Sequence, residues 1–465
     1  MTPNIHHYRL VLLVMFSATL ATILVLNGFM GYSVVADHSL AKDVCHNRQS
    51  VDDNQDIDYI VKETYSSSGW SGMDSRYRFA NISDNVFIYS AFETNDNFVV
   101  LIGLAKNEWV NEEFNYYHYN YSYRSENYRY LCGFNGLSVV NSEAVIEYIK
   151  ESHGYYYSAV KIKCRKPKLY DQKWPINKVK VIETDYKTRI KTFESEFIEI
   201  LKTDNKSQVT ADAIGDQKVV VCVRPLFGNV SLIRLLEFIA YYRLNSIDKI
   251  VFYHSFDETM ISDVRQTLQV LSSMPFVNLM PLVIPQNNYK RKIIHEWGQL
   301  TANHDCLYRF ANYIQIHVDF DEYLKPNDRF NTVKEFLLSP EVSIWSALVV
   351  PSVIFCHEFN HFVDNTSSPL LINYYNRQKT VWPHELRSKV IVMRAKFVAQ
   401  LGIHNIWRLF NSHSRSHPIK YLDPNQMVVH HYRKCCYLIQ PYFKTFFPNY
   451  LYFNTANDYI VRDKS

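Results

Sequence analysis

KVVVCVRPLFGNVSLIRLLEFIAYYRLNSIDKIVFYH, running from Lys218 to His254, is the stretch that decides the expected fold. Val219 to Val223 form an unbroken apolar run, the pattern of a strand buried on both faces. RPLFGN then turns the chain. Beyond it Leu232, Leu235, Leu236, Ile239 and Ala240 recur at helical spacing, and Lys249 to His254 returns to a strand pattern. The alternation continues with a helix over Asp257 to Ser273, a strand within Phe276 to Ile284, a helix over Ile294 to Asn312 and a fourth strand from Ile314 to Leu324. Strand and helix in this order predict right-handed crossovers and a mainly parallel α/β sheet with flanking helices. Ligands of such sheets bind beyond the carboxyl ends of the strands, which puts Asp257 on one rim with Asp319 and Asp321.

The fourth strand, IQIHVDFDEYL, alternates Ile314, Ile316, Val318 and Phe320 with Gln315, His317, Asp319 and Asp321, so an extended chain aims both carboxylates to one side. Two carboxylates at such a rim suit Mn²⁺ or Mg²⁺ held against substrate phosphates, with water completing the shell. A cation there neutralises the charge that builds on a nucleoside diphosphate leaving group. The alternative is a solvated acidic turn, which is how Asp56 and Asp58 read in their polar surroundings. A calcium loop counted from Asp319 needs glycine at its sixth place, where Leu324 stands. Neither a phosphate-binding G-x-x-x-x-G-K-[ST] nor a dinucleotide G-x-G-x-x-G nor a hydrolase G-x-S-x-G occurs.

Upstream, Asn81 to about Val181 carries short aromatic and β-branched runs such as NVFIYSAF and FVVLIGLA broken by polar turns, a mostly β module. Lys187 to Lys202 interleaves charges with Ile190, Phe193, Phe197, Ile198 and Leu201 at roughly helical spacing and reads as a bridging helix. These patterns divide the chain into a cytoplasmic tail (1–9), a membrane anchor (10–35), a stem (36–80), a β-rich module (81–215), a catalytic α/β domain (216–445) and a C-terminal tail (446–465).

Leu10 to Leu26 is uncharged and the stretch stays so until Asp37, long enough to cross a bilayer, whereas a cleaved signal ending near Ala36 would have a shorter apolar core. Arg9 on the short side places the N-terminus in the cytosol. The rest of the chain is then lumenal. Five sequons, at Asn81, Asn120, Asn205, Asn229 and Asn365, agree with that, and none precedes the anchor. Among the 8 cysteines no C-x-x-C zinc spacing occurs, so some pair in an oxidising lumen, while Cys222, inside an apolar strand, reads as a buried free thiol. A net charge of +4 without a Lys/Arg run gives no sign of nucleic acid binding.

Taken in order, CVRPLFGN, LLEFIAYYRLNSIDKIVFYH, HVDFDEYL, RSKVIVMRAKFVAQLGIH and VVHHYR resemble the successive motifs of glycosyltransferase family 92, with SAF (Ser90 to Phe92) a further likeness upstream. The resemblance covers about Val219 to Arg433. It implies a GT-A-like fold, a Golgi-type single-pass membrane topology, and metal-assisted transfer of galactose from a uridine diphosphate sugar to a glycan acceptor. Asp319 and Asp321 match the family's metal-binding D-x-D; Arg224, Pro225, Leu226 and Gly228 match the loop expected near the nucleotide. His431 of HHYR is the candidate for a further metal or diphosphate contact. The base that takes the acceptor's proton is a carboxylate within hydrogen-bond reach, for which Glu358 of IFCHEFNHF is the candidate. The competing reading is a glycan-binding glycoprotein on the same scaffold without turnover.

Overall fold

The computed structural model of the chain describes residues 79–106, 128–202, 217–254, 267–284, 294–357, 369–410, 418–433 and 461–462, apart from short gaps within them. The segments read as tail, anchor and stem lie outside the described residues, apart from Phe79 and Ala80. Among the described residues no helix is long and apolar enough to cross a membrane.

The first unit is built from β1 (Ala80–Ser83), β2 (Val86–Glu93), β3 (Phe98–Lys106), β4 (Tyr128–Phe134), β5 (Ser142–Tyr148), β6 (Tyr157–Arg165), β7 (Lys178–Asp185), β8 (Lys191–Glu194) and β9 (Ile198–Leu201). Short β9 closes it. One edge of β9 runs parallel to β2 at Ala91↔Ile200, and the other runs antiparallel to β7 at Val179↔Ile198. The ring β2-β3-β6-β5-β4-β7-β9 is therefore a closed seven-stranded barrel, and closure removes the open edges that a lone sheet would expose. Its interior is aliphatic and aromatic, with Ile88, Leu101, Val160, Ile162 and Val181 fully buried. Cys132 and Cys164 form a disulfide between β4 and β6, across the strand that separates them.

The second unit follows with β10 (Val219–Leu226), β11 (Lys249–His254), β12 (Val277–Pro281), β13 (Ile314–Val318), β14 (Glu322–Pro326), β15 (Ala347–Val350) and β16 (Ser352–Cys356). Then come β17 (Asn376–Arg377), β18 (Lys389–Val392), β19 (Val398–Leu401), β20 (Ile406–Leu409), β21 (Ile419–Tyr421), β22 (Met427–Arg433) and β23 (Val461–Arg462). Its helices are α1 (Leu232–Leu244), α2 (Gln299–Arg309) and the short α3 (Val333–Leu338) and α4 (Leu370–Asn373). The seven-stranded sheet has the order β12-β11-β10-β13-β18-β15-β21, and β14-β22-β16 form a separate three-stranded sheet.

This overturns the expected α/β architecture. The described chain is mostly strand, with a closed barrel and few helices, rather than a mainly parallel GT-A-like sheet wrapped in helices. In the seven-stranded sheet β18 runs antiparallel to both β13 and β15, which breaks the parallel order expected. Three local expectations change as well. Lys187 to Lys202 forms β8 and β9, not a helix. Ile314 to Leu324 is two strands in two different sheets, broken at Asp319. The helix expected over Asp257 to Ser273 lies largely outside the described residues.

The unbroken valines of β10 are explained by burial on both faces. Val219, Val221 and Val223 pack with Leu235, Phe238 and Tyr242 of α1. Val220 and Cys222 face the other way, into a cluster with Cys306 of α2 and with Phe87, Leu104 and Tyr157 of the barrel. The barrel thus seals one face of the sheet, aided by the Tyr89 hydroxyl donating to the Pro281 carbonyl at 2.9 Å. Cys222 is not a free thiol. It is bonded to Cys306 over a separation of 84 residues and ties α2 to β10. Replacing both by serine removes a long loop closure and is expected to cost about 4 kcal/mol, read as a fall in the thermal midpoint.

Candidate active site

The turn between β13 and β14 carries the acidic pair, and Glu322 shapes it. The Asp319 backbone N–H donates to Glu322 Oε2 at 2.7 Å, and the Glu322 N–H donates back to the Asp319 carbonyl at 3.2 Å. Neither glycine nor proline is needed, because a side chain holds the reversal. Beyond it Glu322 pairs in register with His431 of β22, and the Tyr432 N–H donates to the Asp321 carbonyl at 3.0 Å. Residues far apart in sequence thereby meet at one rim.

The two aspartates have different surroundings. Asp319 is nearly buried: its Oδ1 forms an ion pair with Lys389 Nζ at 2.9 Å and accepts from Gln299 Nε2 at 3.1 Å, and its Oδ2 lies 3.5 Å from an Arg224 guanidinium nitrogen. Burial alone would raise its pKa, but Lys389 and Arg224 together hold the carboxyl well below the usual carboxylate range. Asp321 is 31% exposed and lines a cleft. Its Oδ2 lies 3.6 Å from His431 Nε2, and its Oδ1 is buried without a hydrogen-bond partner. Burial works against its ionisation too, and His431 and Arg224 reverse the effect.

Glu322 is fully buried behind His431, 3.3 Å from its Nδ1, and its other oxygen is 3.1 Å from Lys389 Nζ. Burial and the Asp319 charge raise the Glu322 pKa. Lys389 is 2% exposed; burial would lower its pKa, and the two carboxylates push it up instead. A carboxylate behind one ring nitrogen is a common way to orient a metal-binding histidine; here Nδ1 and Oε1 stand 3.3 Å apart, close enough for an ion pair but without hydrogen-bond geometry.

The cleft has a volume of about 260 Å³ and is lined by Arg224, Phe227, Arg234, Asp321, His357 and Arg433, among others. Three guanidinium groups in one concavity suit a phosphate ester, whose oxygens accept paired N–H donors. Pro225 and Leu226 line it as well. Gly228, Asp257 and Glu358 lie outside the described residues.

Among the described residues no cluster of three or more His, Cys, Asp or Glu side chains has the geometry of a metal site. A cation that draws part of its shell from diphosphate and water needs only one or two protein ligands. Asp321, which lines the cleft 3.6 Å from His431, and His431, 3.3 Å from the Glu322 carboxylate, fit that role; Asp319, with both oxygens engaged by cationic or amide donors, fits that of an anchor for the turn. Sequence reasoning missed Lys389, Glu322, Gln299 and Glu296. Of these only Glu322 was signalled, as a third acid directly after the pair.

Comparison with curated proteins returned no match. Among solved structures, a siderophore-interacting protein from Acinetobacter baumannii aligns at 9% identity with a TM-score of 0.12, over 52% of this chain and 78% of that one, a likeness too slight to carry an argument. The family model of glycosyltransferase family 92 matches residues 217–464, more than half of the chain. That span holds every residue of the rim, from Arg224 through the Asp319–Glu322 turn and Lys389 to His431, and the chain belongs to glycosyltransferase family 92.

Proposed function

We propose that the chain transfers galactose from UDP-galactose to a glycan acceptor, with Mn²⁺ or Mg²⁺ held by Asp321 and His431. The observation that carries this reading is the close approach of His431 to Glu322 on one side and to Asp321 on the other, beside a cleft lined by arginines. When bound, the cation would supply Lewis-acid neutralisation of the departing diphosphate. Arg224, Arg234 and Arg433 would grip the phosphate oxygens and keep the donor in one orientation. Asp319 and Lys389 would hold the turn that aims Asp321. As the bond from the sugar's anomeric carbon to the diphosphate breaks and the acceptor oxygen bonds to that carbon, the acceptor proton passes to a carboxylate. Glu358 stands for that base, and its neighbour His357 lines the cleft.

The uncharged stretch from Leu10 to Leu26 and the sequons beyond it support a single N-terminal anchor, with the globular part in the lumen of the secretory pathway. The purified chain, given UDP-galactose, Mn²⁺ and a mixed glycan acceptor, is expected to release UDP, and chelation is expected to stop it. Glycan capture with no UDP release favours the glycan-binding alternative. Glu322→Gln, which weakens the carboxylate behind His431, is expected to weaken Mn²⁺ binding about 10–100-fold, measured by titration calorimetry in the presence of UDP. Unchanged affinity removes His431 from the metal set.

A further inference from the structure

The barrel loop between β5 and β6 reaches across to the segment that opens α2. Tyr157, the first residue of β6, forms a parallel β-bridge with Ile294. One residue later the His295 ring stacks on His153 of the loop, with centroids 3.8 Å apart and planes at 26°, and meets Tyr155 edge-on at 5.4 Å. His295 Nδ1 is buried without a hydrogen-bond partner, so ring contacts rather than a bond at that atom hold the imidazole. Burial, and then the nearby Arg224 charge, push its pKa down to about 4, which keeps the ring neutral at physiological pH. The same loop is fastened elsewhere: Glu151 accepts from the Ile403 N–H at 2.8 Å, and Gln400 donates to the Tyr148 carbonyl at 2.9 Å.

Directly after His295 the backbone turns left-handed, with φ of 43° at Glu296, 54° at Trp297 and 81° at Gly298. Glycine adopts this freely, whereas glutamate and tryptophan do so only where the surroundings impose it. The turn brings Glu296 Oε2 to 3.5 Å from Arg224 and stacks Trp297 on Phe227 at 5.2 Å. Arg224 and Phe227 both line the cleft, and Arg224 also reaches Asp319. The strained turn therefore connects the barrel to the cationic side of the site.

We infer that His153 is a positioning residue for sugar transfer: its stack on His295 holds the Glu296–Gly298 turn, and through it Arg224 and Phe227, so that the barrel completes the donor side of the cleft. This rests on reading the cleft as the nucleotide-sugar site. Two readouts on the full chain test it. H153N removes the ring while suiting the left-handed backbone at that position, where φ is 52°. H295A removes the opposite ring, and H295F keeps a stack. Hydrogen exchange of the peptide covering residues 294–300 needs no ligand; it is expected to rise about tenfold in H153N and H295A and to stay near wild type in H295F. In UDP release, the KM for UDP-galactose is expected to rise about tenfold in the first two variants, with kcat and acceptor KM within about threefold, and H295F should restore it. Unchanged exchange in H153N overturns the inference, as does raised exchange with an unchanged donor KM or an H295F variant no better than H295A. If UDP-galactose is not turned over by the wild type, the functional reading fails by itself, and the exchange arm still decides whether His153 holds the turn.

Discussion

Asp321→Ala is expected to lower sugar transfer about a thousandfold while leaving the thermal midpoint within a few degrees of wild type. The magnitude follows from the several kcal/mol that a bound cation supplies to a leaving diphosphate, at 1.36 kcal/mol for each tenfold in rate. The small stability effect follows from the side chain's position. Asp321 is 31% exposed, among the described residues its ion-pair partner is His431 at 3.6 Å, and its backbone carbonyl, which ties the turn to Tyr432, survives the substitution. UDP release measured beside thermal unfolding checks both halves. A large fall in the midpoint would mean that Asp321 is part of the framework, and undiminished release would remove it from the site.

Lys389→Met is expected to lower stability severely. Lys389 is 2% exposed and lies 2.9 Å from Asp319 and 3.1 Å from Glu322, themselves 12% and 0% exposed, so among the described residues its removal leaves Glu322 buried without the lysine and Asp319 with Arg224 alone as ion-pair partner, 3.5 Å away. Breaking such a pair costs about 3–5 kcal/mol. The same cluster fixes the sign of a pH dependence. Asp319, whose folded pKa is depressed, contributes stability that is present above its unfolded value near ~3.9 and is lost as pH falls through the folded value. Lys389, whose folded pKa is raised, contributes stability that is present below its unfolded value near ~10.4 and is lost as pH rises beyond it. Denaturant unfolding across pH is therefore expected to show the gap between wild type and variant widest at neutral pH and narrowing below about pH 4. A gap that is constant with pH would mean that Lys389 acts through packing alone.

Some elements could be read directly. The valines of β10 and the helical spacing of α1 were legible because each face of β10 meets its own apolar cluster, which leaves no polar residue to blur the pattern. Lys187 to Lys202 misled because its apolar residues do not mark a buried face: Ile190, Phe193 and Phe197 are 66%, 53% and 45% exposed. The break at Asp319 was hidden because a glutamate side chain, not glycine or proline, makes the turn. The barrel could not be read because its closure depends on a four-residue strand pairing with β2, more than a hundred residues earlier. Cys222 suffered in the same way, since its partner Cys306 sits on a helix that only the folded chain brings beside it.

The candidate site was legible where it carried local patterns. DFDE and HHYR singled out Asp321 and His431, and the fold sets the two side chains 3.6 Å apart at one rim. Lys389 opens the apolar strand KVIV, and a lysine at a strand start ordinarily reads as solvated; its place between two acids comes from the turn after β13 and from the first residue of β14. Lys389, Gln299 and Arg224 already engage Asp319, which is why the proposal gives the cation to Asp321 and His431.

The claim at the centre of this account is that Asp321 and His431 jointly hold a divalent cation. Pulsed electron paramagnetic resonance of Mn²⁺ bound to the full chain with UDP, using ¹⁵N-histidine-labelled protein, reads the ligands directly. A single histidine nitrogen coupling is expected, abolished in His431→Gln, with Mn²⁺ binding itself lost in Asp321→Ala. A spectrum without any nitrogen coupling, or Mn²⁺ held as tightly by Asp321→Ala as by wild type, would contradict it.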